Sequence, residues 1–109
     1  MNLVVDCYEI SKGFPKDEMF GLSSQLKRSA VSIPANIAEG HGRNSLGEYI
    51  QFLGIAQGSL RETETHLLIA LRLNFANESN VNTVLGLAEE ISKMLGALIR
   101  GLKAKKSRS

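Results

Sequence analysis

Apolar residues recur every three or four positions along almost the whole chain, a spacing that places them on one side of an α-helix. Leu3, Cys7 and Ile10, with Val4 and Tyr8 beside them, predict a first helix of about ten residues that runs to Ser11 and is ended by Gly13. A helix this short is marginal without tertiary packing. In Phe14-Pro15-Lys16-Asp17-Glu18 the proline suits a first helical turn, where its missing N–H costs nothing, and the two acids complement the positive helix end. The second helix is therefore predicted to start there. Its apolar stripe is Leu26, Ala30, Ile33 and Ile37. Pro34 cannot donate to the Ala30 carbonyl, so the expectation is a kink within a continuing helix.

Gly40 and Gly42 bracket His41 and close the second helix, and Ser45-Leu46-Gly47-Glu48 then has the S-x-x-E form of a capping box. Tyr49, Phe52, Leu53, Ala56, Leu60, Thr63, Leu67, Ala70 and Leu71 keep one face of a third helix. Its length comes to about 45 Å at 1.5 Å per residue. The stretch from Asn74 to Asn80 is rich in turn and capping residues. Beyond it, Val81, Val84, Leu85, Ala88, Ile91, Leu95, Leu98, Ile99 and Leu102 predict a fourth helix. Short connections between long amphipathic helices favour antiparallel neighbours. The fold class read from the pattern is all-α: an antiparallel up-down-up-down four-helix bundle with a Pro-kinked second helix. No repeat or composition break divides it, so residues 1–102 read as one domain and 103–109 as a frayed basic tail.

Composition changes this picture little. The 109 residues are 43% hydrophobic and 22% charged, ordinary globular usage, and the absence of Trp and scarcity of Pro fit a helical chain. Charge is more informative. The net of +2 hides an asymmetry, because residues 1–102 carry nine basic against eleven acidic side chains, while Lys103, Lys105, Lys106 and Arg108 crowd the end. Cys7 is the lone cysteine, which fits a reducing cytosol and a small buried apolar side chain. No apolar run reaches the ~20 residues of a membrane span, and no signal peptide is recognisable, so the expected location is cytoplasmic, away from membranes.

The blocks Phe14-Pro15, Gln25-Leu26-Lys27-Arg28-Ser29-Ala30, Ser32-Ile33-Pro34-Ala35-Asn36-Ile37-Ala38-Glu39-Gly40 and Gly58-Ser59-Leu60-Arg61-Glu62 resemble the four helix bundle protein family, also called the ribosomal intervening-sequence or S23 family. The resemblance covers most of the chain from Phe14 to Phe75, and the last helix matches in pattern. It implies a bundle that assembles into homopentamers. Some members are encoded in ribosomal RNA intervening sequences or accompany retroelement reverse transcriptases, where the pentamer binds nucleic acid. The family's first helix is longer and has a tryptophan-containing opening, whereas this chain begins MNLVVDCYEI, which implies a first helix shortened by about three turns.

Catalytic chemistry finds little footing. His41 and His66 have no partner at metal-ligand spacing beyond the Glu62–His66 pair, and no phosphate-binding glycine loop is present. Neither enzyme activity nor a cofactor nor a metal is expected. Gln25, Arg28, Ser32, Asn36 and Glu39 form a polar row along the second helix. One reading makes it a recognition face. The other pairs Arg28, Asn36 and Glu39 across a helix or subunit boundary, where they would satisfy backbone groups freed by Pro34. Gly47, Gly54 and Gly58 predict a shallow strip where another helix approaches closely, inside the bundle or between subunits. Lys27, Arg28, Arg43, Arg61 and Arg72 on the body, with Lys103, Lys105, Lys106 and Arg108, are the candidates for phosphate contacts with RNA or DNA. The expected function is that of a non-enzymatic homo-oligomeric module binding nucleic acid independently of sequence. The alternative is an adaptor that oligomerises and recruits a protein partner.

Overall fold

Polar and glycine punctuation decides where each helix starts and stops. The computed structural model describes residues 2–108, in which the chain forms α1 (Asn2–Ser11), a single 3-10 turn (Lys16–Glu18), α2 (Leu22–His41), α3 (Leu46–Arg72) and α4 (Glu78–Arg108). Ser45 caps α3, its Oγ accepting from the Glu48 amide at 3.1 Å. The other half of the predicted box differs, because the Ser45 hydroxyl turns towards the Glu48 carboxylate at 3.4 Å. Asn74 ends α3 with a φ of 60°, a left-handed conformation that Asn tolerates better than most residues. Its amide bonds Leu71 O while the Phe75 amide bonds Ala70 O, the paired hydrogen bonds of a Schellman ending. Asn77 then starts α4, its Oδ1 accepting from the Asn80 amide at 2.8 Å.

Two boundaries depart from the sequence reading. Pro15, Asp17 and Glu18 do not open the second helix; they build the 3-10 turn, and α2 begins only at Leu22. Gly21 takes a non-helical φ of −105° and ψ of −115°, and Glu18 Oε1 accepts from the Leu22 amide at 3.1 Å, doing the work of a cap from four residues away. At the other end, Lys103 to Arg108 are the last turns of α4 rather than a frayed tail. Lys and Ala are good helix formers, and cations at a helix C-terminus complement its dipole. Ser109 lies outside the described residues. Helix α2 continues through Pro34 without interruption.

The long helices run antiparallel. Ser29 meets Thr63 at 2.9 Å and Ser32 meets Ser59 at 2.8 Å, so rising numbers on α2 face falling numbers on α3. Likewise Arg61 reaches Ser92 at 3.0 Å, while Lys106 lies over Gly47, which reverses direction from α3 to α4. Helix α1 packs against α2 and α4 and closes the bundle. At ten residues it is much the shortest, against 20, 27 and 31 for the others.

That shortness divides the core. One cluster draws on all four helices, with Leu3, Cys7, Leu26, Ala30, Ile33, Leu60, Leu67, Val81 and Val84 almost wholly buried. Phe14, tucked under this end, packs on Phe75 with ring centroids 5.8 Å apart. A second cluster, Leu53, Ala56, Leu95 and Ile99, comes from α3 and α4 alone, flanked by half-buried Ile37, Tyr49, Ile50, Ile91 and Leu102.

Candidate functional site

The facing sides of α2 and α3 carry a seam of small polar residues. Thr63 donates to Ser29 Oγ at 2.9 Å or to Ser59 O at 2.9 Å, and Ser29 donates to Leu26 O at 3.1 Å. Asn36 Nδ2 donates to Ser32 O at 2.8 Å and Ser32 Oγ at 2.9 Å. Ser29, Ser59 and Thr63 are buried, and each finds a partner, as buried polar groups must. The predicted polar row therefore divides by position. Ser32 and Asn36 belong to this seam, and only Ser32 crosses to α3. Glu39 pairs with Arg43, just past the end of its own helix. Arg28 pairs with none of them; it lies with Gln25 on the rim of an open groove of about 400 Å³, whose other walls are Ser29, Ser32, Ser59, Glu62 and His66. The expected pairing of Arg28, Asn36 and Glu39 across a helix boundary is not what forms, because Asn36 bonds one turn back along α2 and Glu39 bonds forward to Arg43.

His66 stands out in that groove. Its Nδ1 is buried and has no hydrogen-bond partner among the described residues. Burial holds the ring's pKa below its ordinary value of 6.5, partly offset by the charge of Glu62 one turn away. Cys7 shows the same physics in a drier setting: burial, aided by the Asp6 charge, pushes its thiol up to about 12, so it stays protonated and unreactive. Among the described residues no group of three or more His, Cys, Asp and Glu comes together as a metal site, and no helix is long and apolar enough to cross a membrane.

The candidate phosphate-binding residues occupy separate faces. Lys27 lies over the Tyr8 ring, 5.5 Å from its centroid, on the α1 side. Arg28 borders the α2/α3 groove. Arg61 bonds Glu64 at 2.9 Å and Ser92 at 3.0 Å across to α4. Arg72 sits at the end of α3 beside Leu68, Ile69 and Leu73. Arg43, in the α2/α3 connection, pairs with Glu39, approaches Glu48 at 3.8 Å, and stacks 4.7 Å over Phe52. It shares one end of the bundle with the close of α4, since Lys103, Lys106 and Ser107 line a groove with Gly47 and Ile50.

Sequence reasoning missed Arg100, which adds to that end. Residues 91–109 contain no Asp or Glu, so the last part of α4 is basic without internal neutralisation, a signal readable from Arg100 standing three residues before Lys103. The glycine strip finds no close neighbour within this chain. A Cβ placed on Gly54 or Gly58 would meet nothing within 4 Å, and one on Gly47 would meet only the flexible end of Lys106. Among the described residues no helix packs on Gly54 or Gly58, which face outward from α3, and Gly47 meets only the last turns of α4. The close approach occurs instead at Gly40, where a Cβ would stand 2.8 Å from Phe52 Cβ and 3.1 Å from the Tyr49 ring.

A sequence profile described as 23S rRNA-intervening sequence protein matches residues 1–97. Among solved structures, a protein of unknown function from the S23 ribosomal protein family of Bacteroides thetaiotaomicron superposes with a TM-score of 0.78 at 29% identity, over 88% of this chain and 87% of that one. No curated protein matches.

Proposed function

The chain belongs to the 23S rRNA-intervening sequence protein family, and from that premise we propose that it is a non-enzymatic, cytoplasmic helical module that assembles with copies of itself and binds RNA or DNA through phosphate contacts. One observation carries the reading: Arg100, Lys103, Lys105, Lys106 and Arg108 fall on the exposed final turns of one helix, with no acid after Glu90. A helical frame holds these cations at a fixed spacing. Each phosphate they neutralise releases a counterion, which makes affinity fall with salt. One copy offers few contacts, and several copies in one assembly multiply them by raising effective concentration. The dispersed positions of Lys27, Arg28, Arg61 and Arg72 make them secondary, and Arg43 enters only by releasing Glu39.

Fluorescence anisotropy with labelled RNA and DNA, duplex and single-stranded, across a salt series tests this alongside light-scattering mass. Binding by an oligomer with a steep salt slope is the expected result. Removing residues 103–109 should flatten the slope by about 0.9 per lost contact on duplex DNA. Absence of binding at low salt would sink the reading.

A protein adaptor is the second reading, favoured by the outer face of α3. There Leu68, Ile69 and Leu73 are exposed together near the end of the helix, and Ile55 is exposed beside the open Gly54 and Gly58 farther back. Contiguous exposed apolar surface marks contact sites on other proteins. An oligomer that ignores nucleic acid but loses mass on Leu68→Glu would favour it.

A further inference from the structure

The groove between α2 and α3 is supplied with unspent recognition chemistry. Among the described residues the Gln25 amide, the Arg28 guanidinium and the Glu62 carboxylate form no hydrogen bond or ion pair, and His66 Nδ1 is buried without a partner. Arg28 and Glu62 carry opposite charge on facing walls of one groove, yet they do not pair with each other. The register set by Ser29 opposite Thr63 and Ser32 opposite Ser59 puts Gln25 about level with His66, and Arg28 between His66 and Glu62.

Most of the side-chain hydrogens in the floor beneath them are committed. Ser29 gives its hydroxyl hydrogen to Leu26 O, Thr63 gives its hydrogen to Ser29 or to Ser59 O, and Asn36 supplies Ser32. The Ser32–Ser59 contact uses one hydroxyl hydrogen, so this pair has its other hydroxyl hydrogen and its remaining oxygen lone pairs left to offer. A ligand matched to this groove presents an anionic group to the Arg28 and Gln25 donors. It also presents a cationic donor to Glu62 and the hydroxyl lone pairs. An inorganic dianion fits poorly, because Glu62 opposes it. The volume of about 400 Å³ is within the range of small-molecule sites.

We propose that the α2/α3 groove binds a zwitterion of amino-acid size, its carboxylate held by Arg28 and Gln25 and its ammonium by Glu62, against the face of His66. The site is independent of the basic end of α4 and of any nucleic acid bound there. The full chain is titrated with each standard L-amino acid at millimolar concentration while the His66 ring resonances are followed by NMR. The expected result is a saturable shift of those resonances by at least one amino acid. N-acetylated and carboxyl-amidated forms of that amino acid should lose the shift. Arg28→Gln and Glu62→Gln, both at solvent-facing side chains, should each weaken binding by about tenfold or more while the melting midpoint of the free protein stays put. The proposal is overturned if no amino acid moves the His66 signals. It is equally overturned if the acetylated form binds as tightly as the zwitterion, or if both variants bind as the parent does.

Discussion

The two ends of this bundle are built from the same kinds of residue and differ in how many helices cover them. Where α1 is present, Leu3 and Cys7 complete a core in which Leu26, Ile33, Leu60 and Leu67 are wholly inaccessible. Where α1 does not reach, four buried residues from α3 and α4 carry the core, and large apolar side chains next to them remain in water, Met94 at 70% exposure among them. Exposed apolar side chains are found at both ends, Met94 and Leu98 towards the far one and Phe20, at 91% exposure, with Met19 and Leu73 at the other, while the basic turns of α4 lie at the far end alone.

Truncating one core residue at each end is the strongest way to break this contrast. Leu60→Ala should cost about 2–5 kcal/mol, because the fully packed four-helix layer cannot collapse around the hole. Ile99→Ala, at 9% exposure in the thinner layer, should fall near the lower end of that range. Urea unfolding midpoints of the two variants measure the difference. Equal losses would mean that the far end is covered in solution by something beyond this chain.

Glycines sharpen the same point from opposite directions. Gly40→Ala forces a methyl into Phe52 Cβ and the Tyr49 ring, contacts too stiff to yield freely, and should destabilise by about 1–3 kcal/mol. Gly58→Ala adds a methyl to open space on a helix and should stabilise the monomer by about 0.5–1 kcal/mol. Thermal melts with parallel light scattering distinguish two outcomes for Gly58. A gain in stability with unchanged mass leaves the α3 strip as plain surface, whereas a loss of assembled mass shows that another copy lies on it.

The pattern of apolar positions is enough to find four helices, their order and most of the buried apolar residues, because a 3.6-residue period sustained over long helices leaves little room for another fold, but it passes over Phe14, Leu22 and the buried serines Ser11, Ser23, Ser29 and Ser59. Local competition was harder to see. Pro15 with two acids reads as a helix start, yet Gly21 and the reach of Glu18 moved that start to Leu22. The Gly47, Gly54 and Gly58 spacing looked like a packing strip, but spacing alone does not tell which side of a helix faces a neighbour. Within this chain the close glycine contact is at Gly40, near the end of α2. The polar row shows a similar limit: its members share a helix face, while Ser59, the α3 partner that draws Ser32 and with it Asn36 into the seam, is far away in sequence.

The smallest expected effect concerns the well-covered end, and it has a definite sign. Burial lowers the pKa of His66 in the folded chain below 6.5, with Glu62 opposing, so the fold prefers the neutral ring. Its contribution to stability is complete above pH 6.5, where the unfolded ring is neutral too, and is lost as pH falls from there through the lower folded value. Because the ring is partly open to solvent the loss is modest. Carboxylates titrate in the same acid range, so the informative quantity is the difference between the parent and His66→Gln at each pH. That difference should shift against the parent between pH 7 and pH 5, and Glu62→Gln should enlarge the parent's loss by removing the charge that favours the protonated ring. Acid would then weaken the four-helix layer selectively and narrow the gap between the two ends. A pH-independent difference between parent and His66→Gln would mean that His66 is solvated in both states and does not belong to the buried seam.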